Sequence, residues 1–526
     1  MAQAYVNGYN PVAFTDFSGG LNLLDKADAV GDKEAIDLLN VTFTERGAIR
    51  QRDGYQDLTP QDLPNRVDSL APFYTAAGLK QLVAGCGQRL DVVDTNGALV
   101  GSMTGLAKGP YTFARFGDPG HEYMYAANGA DTLRRWDGAA WFIPTCKVDQ
   151  NTGQAMPRAG SVTVTAMHAG STSGNNAANR LVATAFGTQP NAGPGGQATT
   201  PSSVYLSMPG QPEVWETSGL AQSPIPIDGS PLVYGRNFFL VTPGDGERIM
   251  TAVTWRELVF IFKETKFFVI WGESTAADGT PTFQVREVVN NVGLASPLGV
   301  AVGRDGVYFI NRRGIYKTTG SDPQLLSDKL SPLWTGDPDV YYQGQPINIS
   351  RLEQARMAWF SEQLFVAIPT GTSSFNDRML VHDGEHGWWT VYDIAASALS
   401  PFRRAGQSEV HHGYATGPQR IGHRGYGSTD DRGKPIVSRW RSGWADYSQP
   451  VQKTFRETKV WGSGSAGIAF SVDFNRGTGP TDSLIYGTAG DWPIGPAGNT
   501  YAGAVGKYLN YQVLKDSVSN YGELRS

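Results

Sequence analysis

The strongest constraint on this chain is a strand–turn–strand pattern that recurs along most of its length. GLKQLVAGCGQRLDVVDTNGALVGS reads as two strands, with Asn96-Gly97 at the turn, and EYMYAANGADTLRRWDGAAWFIP repeats the form around Asn128-Gly129. Asn-Gly suits a tight hairpin because both residues tolerate positive φ, the backbone twist that such turns demand. Further copies are VYLSMPGQPEVWETSG, TAVTWRELVFIFKETKFFVIWGE, GVAVGRDGVYFINRRGIYKTTGS, MAWFSEQLFVAIP and MLVHDGEHGWWTVYD, with a last, weaker one in VHHGYATGPQRIGHRGYGS. Strand ends at Asp94, Trp136, Trp215, Trp271, Thr318 and His382 are separated by 42, 79, 56, 47 and 64 residues. Propeller blades recur about every 40–50 residues, with insertions falling in loops. The pattern therefore predicts an all-β chain whose body is an irregular β-propeller of about six blades over residues 66–427.

The 79-residue gap predicts an insertion at 151–203, with strands in SVTVTAMHAG and NRLVATAFG and a Gly/Pro/Ala/Thr-rich run at 187–203 that reads as a projecting surface loop. From residue 428 the character changes to longer alternating strands such as KTFRETKVWG and GIAFSVDF, which predicts a second, sandwich-like β domain over 428–526. Composition agrees with many short strands and turns: Gly 64, Trp 13, Tyr 22 and Phe 23 in 526 residues, with 18% charged residues. A chain this long needs more than one core. Net charge is −5, which disfavours tight binding of phosphate backbone over the whole surface. Cys86 and Cys146 are the only cysteines; buried free thiols are expected, and a pair between them stays open. No run of 18 apolar residues is present, and MAQAYVNGYN lacks the basic and apolar regions of a secretion signal, so the expectation is synthesis in a cytoplasm and release by lysis or within a particle.

Before the repeats stands an N-terminal arm, residues 1–65. Phe17-Ser18-Gly19-Gly20-Leu21-Asn22 places two glycines where the backbone can pass close to another chain. In DKEAIDLLN, Asp32 can cap a short helix whose stripe is Ala35, Ile36, Leu38 and Leu39, ending at Asn40. VTFTERGAIRQRDGY then reads as a hairpin turning at Arg46-Gly47. FSGGLN, an acidic helix ending in LLN, and a hairpin closing on IRQRDGY together resemble the opening of phage tail proteins. The order is most similar to the nozzle (tail tube B, or packaged-DNA stabilisation) proteins of short-tailed phages.

The resemblance implies a structural virion protein. It would form a homo-oligomeric ring, a hexamer, below the portal and adaptor, with tail fibre or spike proteins as neighbours. Double-stranded DNA would be retained and then passed through the channel without sequence-specific contacts. It also marks Phe17, Gly19, Gly20, Leu21, Asn22, Asn40, Gly47, Arg50, Arg52, Gly54 and Tyr55 as assembly residues. Two other readings stand beside it: a receptor-binding or glycan-degrading propeller, and a tail hub protein of a long-tailed phage.

Residues that carry chemistry give no competing signal. Neither a GxxxxGK[ST] loop nor HExxH occurs, and Ser18 and Ser171 lack the GxSxG elbow. His382 and His386 are four apart in VHDGEHGWW, but Gly384 and Gly387 argue against the helix that would align them as metal ligands. His411, His412 and His423 read as hydrogen-bonded strand-end residues, and Asp383 with Glu385 as loop acids rather than a glycosidase pair. The basic pairs Arg134-Arg135, Arg312-Arg313, Arg403-Arg404 and Arg439/Arg441 lie among acids, as solvated turn residues do. Hence no enzyme, cofactor or metal is expected. Residues 187–203 are the candidate for a loop narrowing a channel.

Overall fold

The computed structural model describes residues 15–444, apart from 119–120, 150, 166–178, 188–190, 198, 216–231, 236–237, 243, 276–280, 289–290, 338–341, 343, 405 and 426; beyond 444 it describes only the backbone of strands. Among the described residues, seven antiparallel units of four strands, one with a fifth added, follow one another, each beginning with an inner strand. Blade 1 runs Ser69–Tyr74, Lys80–Gly85, Leu90–Asp94 and Leu99–Met103. Blade 2 is Thr112–Asp118, His121–Ala127, Arg134–Trp136 and Trp141–Phe142. Blade 3 is Ser161–Thr165, Arg180–Thr184, Ser203–Leu206 and Phe238–Leu240. Blade 4 is Thr251–Trp255, Leu258–Phe262, Phe267–Thr275 and Pro281–Val288, with Leu232–Gly235 added at its edge. Blade 5 is Val300–Gly303, Gly306–Asn311, Gly314–Thr318 and Gln324–Leu325. Blade 6 is Arg356–Phe360, Gln363–Ile368, Arg378–Asp383 and Trp389–Tyr392.

Blade 7 supplies three strands of its own, Ala396–Arg404, Gln407–Tyr414 and Ile421–Arg424. Its fourth is Tyr55–Asp57 from the N-terminal arm, paired antiparallel with Ile421–Arg424. The inner strands adjoin in order, and that of blade 7 lies against that of blade 1. The ring is therefore closed by non-covalent pairing of the two ends of the propeller. The closing strand also covers the outer edge of Ile421–Arg424, which would otherwise be an unpaired sheet edge.

Hydroxyls at or just before the starts of inner strands tie five pairs of neighbouring blades. Ser69 Oγ accepts from the amide of Tyr111, and Thr112 Oγ1 accepts from Val162 N. Ser161 Oγ accepts from Ala252 N, Ser296 Oγ donates to the carbonyls of Glu353 and Ala355, and Ser397 Oγ donates to Val67 O. Aromatic pairs fill the space between blades, as with Phe262 and Phe309 at 5.0 Å and Tyr308 stacked on Trp359 at 4.6 Å. Hairpin chemistry is visible where it was legible. Gly97 has φ +79° in a loop between Asp94 and Leu99 in which Asn96 does not take positive φ, whereas the two-residue turn Ser361-Glu362 holds both residues there.

Four expectations are corrected. The blades number seven, because five of the six marked strand ends fall on third strands and blade 7, borrowing its last strand, carries no marker. The supposed insertion at 151–203 is largely blade 3: SVTVT and RLVAT are its first two strands, and Trp215 belongs to a side sheet of Thr145–Val148, Asn151–Ala155 and Val214–Trp215. The run 187–203 does not project throughout, since Ala192 is buried in a core with Cys146, Val148 and Met156. Finally, the acidic helix is a strand, Glu34–Leu39. Ala35, Ile36, Asp37 and Leu38 are all buried, so both faces are covered, which a one-sided helical stripe does not require. A six-residue apolar run fits either period, and tertiary pairing decides between them.

That strand joins Gly20–Leu21 on one side and Ser438–Ser442 on the other, in a six-stranded sheet completed by Tyr508–Lys515, Ala466–Asp473 and Thr481–Tyr486. Val41–Phe43 and Ile49–Gln51 form the expected hairpin and pair onward with Glu523–Arg525. The N-terminal arm and the C-terminal strands thus share sheets, and the arm lies against the last strand of blade 6.

Candidate functional site

The residues singled out in the arm converge on the junction of arm, ring closure and C-terminal strands. Asn40, fully buried at φ +54°, ends its strand and turns its amide outward to three partners. Its Nδ2 donates to Val437 O at 2.7 Å, while its Oδ1 accepts from Arg52 Nε at 2.8 Å and from the amide of Asp393 at 3.0 Å. Asn tolerates this left-handed conformation better than most residues. Arg52 is buried across from it. Its guanidinium forks onto Asp431, Nη1 to Oδ1 at 2.8 Å and Nη2 to Oδ2 at 2.6 Å, and donates to Asp393 Oδ1 at 3.0 Å and Asp53 O at 3.1 Å. Burial works to lower the Arg52 pKa, but hydrogen bonds and charge from Asp431 and Asp393 outweigh it and raise it. A planar fork matched to a carboxylate is the arrangement for which Arg, unlike Lys, is suited.

The other arm residues are held at this junction, against blade 6 or within the arm itself. Phe17 is buried with its ring edge-on to Trp440 at 5.2 Å. Gly20 has φ +75°, and a Cβ there would meet Trp389 N at 2.7 Å. Leu21 is in the core, and a Cβ on Gly19 would strike Lys33 and Glu34. Asn22 Nδ2 donates to Asp25 and Glu34 carboxylates, both at 2.8 Å. Gly47 turns the hairpin at φ +79°, and Arg50 lies 3.9 Å from Asp53. A Cβ on Gly54 would sit 1.8 Å from Asp430 O, so only glycine lets the two segments touch. Tyr55 opens the closing strand and packs on His412 and Tyr414.

Carboxylates reinforce the closure. Asp57 accepts from Tyr414 Oη at 2.6 Å and Arg420 Nη1 at 2.8 Å and pairs with Arg432. Burial pushes its carboxyl up, yet these donors hold it below the usual carboxylate range. Asp53 pairs with Arg424, and Asp37 with Arg439 of the C-terminal region. All eleven arm residues are therefore engaged within the chain. Asn40, Arg52, Gly54 and Tyr55 act as a clamp on the ring's last strand and Phe17 packs on the C-terminal region, whereas Asn22 and Gly47 bond within the arm itself.

The chemical candidates elsewhere do not converge on a reacting centre. His382 is buried and stacked on Trp389 at 4.5 Å, with burial lowering its pKa to about 4. His386 Nδ1 instead lies 3.0 Å from Asp383 Oδ1, which also accepts from the amides of Glu385 and His386 and so builds the turn. Cys86 and Cys146 are buried free thiols in separate cores. Among the described residues no group of three His, Cys, Asp or Glu has the geometry of a metal site. Of the basic pairs, Arg135 is held by Glu213 and the ring of Tyr123, Arg312 by Glu264, and Arg404 lies beside Glu409.

Sequence reading missed one buried polar site, at Lys263, and took the histidines of another for hydrogen-bonded strand ends, although they lie within strands and neither nitrogen of His411 nor Nε2 of His412 has a well-formed hydrogen bond. Lys263 is fully buried, its Nζ donating to Ser202 Oγ, Thr242 and both Asp245 oxygens at 2.8–3.2 Å. Glu409, His411 and His423 occupy one face of blade 7, with His412 on the other. The alternation EVHH in a strand could have signalled that second site, because successive residues point to opposite faces.

No protein-family model matches the chain, and no curated protein matches it. Solved structures align with 70–73% of it. The chain from the structure of BBS1N in complex with ARL6DN is 10% identical, with a TM-score of 0.37 over 73% of this chain and 99% of that one. Streptogramin B lyase is 9% identical, with a TM-score of 0.36 over 70% and 96%. Virginiamycin B lyase from Staphylococcus aureus gives 9%, 0.36, 70% and 97%. The propeller fold rests on the strand topology itself, consecutive antiparallel sheets whose first strands adjoin around a ring.

Proposed function

We propose that this protein is a structural component of a phage tail, a nozzle that assembles with copies of itself into a hexameric ring and conducts double-stranded DNA. Portal or adaptor proteins on one side and tail fibre or spike proteins on the other are its proposed partners. One observation carries the reading. The residues through which the chain resembles nozzle proteins, from FSGGLN to IRQRDGY, supply a buried clamp joining three parts of the fold. A subunit of a conduit must keep its shape while genome and neighbours press on it, and a ring closed by a clamped strand is suited to that. The net charge of −5 also favours passage over retention, since each lysine or arginine placed on phosphate displaces counterions and adds affinity.

Electron microscopy and mass measurement of the purified chain test the proposal. The expected result is a closed ring of copies around an open lumen whose wall carries at least as many Asp and Glu as Lys and Arg. A monomer that depolymerises host polysaccharide, with activity lost in Asp383→Ala and Glu385→Ala, would overturn it in favour of a glycan-degrading propeller. A continuous basic stripe along the lumen would overturn the conduit and favour DNA binding.

A further inference from the structure

We propose that acid releases the N-terminal closing strand, Tyr55–Asp57, from blade 7, because three buried imidazoles and a buried carboxylate lie on the two blade strands next to that seam, one of the imidazoles directly under Tyr55. The ladder places them there. His411 is opposite His423, which is opposite Gln56 of the closing strand; His412 is opposite Gly422, which is opposite Asp57. All three histidines are buried. His411 and His423 stack at 5.9 Å, and His423 Nδ1 lies 3.1 Å from Glu409 Oε1. Neither ring nitrogen of His411, nor Nε2 of His412, nor either oxygen of Glu409 has a well-formed hydrogen bond. Buried polar atoms left in that state are costly, and in native structures they mark sites under another demand.

The groups around the imidazoles decide the direction of the effect. On the blade 1 side, His411 and His423 face Glu409, Arg404 and the ring of Phe402, on which Tyr74 of blade 1 is stacked. On the blade 6 side, His412 lies under Tyr55, edge-on at 5.1 Å, and beside Tyr414. Arg52, Asp53 and Arg424 line the same small cavity, and Asp57 and Arg432 meet at Tyr414. A proton on His412 would be buried near Arg52, and one on His411 near Arg404. Burial, then the neighbouring His423, lower both His411 and His412 to about 3. A group with a depressed native pKa contributes stability above its unfolded pKa, near 6.5, that is lost as pH falls toward its native value. Peeling away the closing strand, on which Tyr55 covers His412, exposes the His412 ring to water, where it takes up a proton without the burial penalty.

Hydrogen exchange of the full chain between pH 7.5 and 5.0, corrected for the intrinsic rate, tests this. Each imidazole freed by opening multiplies the opening constant about 30-fold over that interval, from an open-state pKa near 6.5. Amides of Tyr55–Asp57 and Ile421–Arg424 should lose protection by at least that factor, while Gly306–Asn311 of blade 5 holds. His412→Met should remove one factor of about 30 at the seam. Should that variant not fold, the wild-type comparison between seam and blade 5 decides alone. Equal loss at both places, or none at the seam, would overturn the proposal.

Discussion

Replacing Arg52 with Met is the sharpest probe of the clamp. Methionine keeps the apolar stem but removes the fork to Asp431, the bond to Asp393 and the donor to Asn40. The Asp431 side chain is 13% exposed, so its charge would be stranded with little water to replace the guanidinium. Stranding one member of a buried pair costs about 3–5 kcal/mol. Asp393, at 35% exposure, rehydrates, and its pair contributes less than about 1 kcal/mol after screening. A total near 3–5 kcal/mol is expected, concentrated in the arm and closing strand. Urea unfolding followed by tryptophan fluorescence would measure it, since Trp389 and Trp440 flank the junction. A double-mutant cycle with Asp431→Asn isolates the pair, and a coupling above about 1.5 kcal/mol is expected for a buried charged contact. Loss of less than about 1 kcal/mol, or additive single changes, would refute the claim that this arginine fastens the arm to the ring.

Two further outcomes follow from local geometry. Gly97→Ala should destabilise blade 1 by more than about 1 kcal/mol in thermal unfolding, because its φ is +79° and the new Cβ would fall 2.0 Å from Leu58 O. His382, with its pKa lowered to about 4 by burial against Trp389, contributes stability that is present above pH 6.5 and lost as pH falls toward 4. His382→Phe should accordingly flatten the acid limb of the stability curve by up to one proton's slope between those values.

The class of this fold was written in the chain. Repeated aromatic strands, Asn-Gly turns and gaps of 42 and 47 residues near the blade period favoured a propeller over unrelated hairpins in a sandwich, because these signals act between residues close in sequence. The hairpin Val41–Phe43 and Ile49–Gln51 was legible for the same reason. Blade number, ring closure and the clamp were not. Tyr55–Asp57 joins blade 7 across more than 360 residues, and three residues carry too little pattern to announce a strand. Arg52 looks like any surface arginine until Asp431 and Asp393 are brought to it, and Asn40 like a helix end until Val437 and Asp393 use its amide. EAIDLL satisfied a helical stripe equally well, and only pairing with Ser438–Ser442 made it a strand. Local sequence determines turns and periods; partners distant in the chain become neighbours only when packing buries them, and burial is what gives their charges and hydrogen bonds their strength.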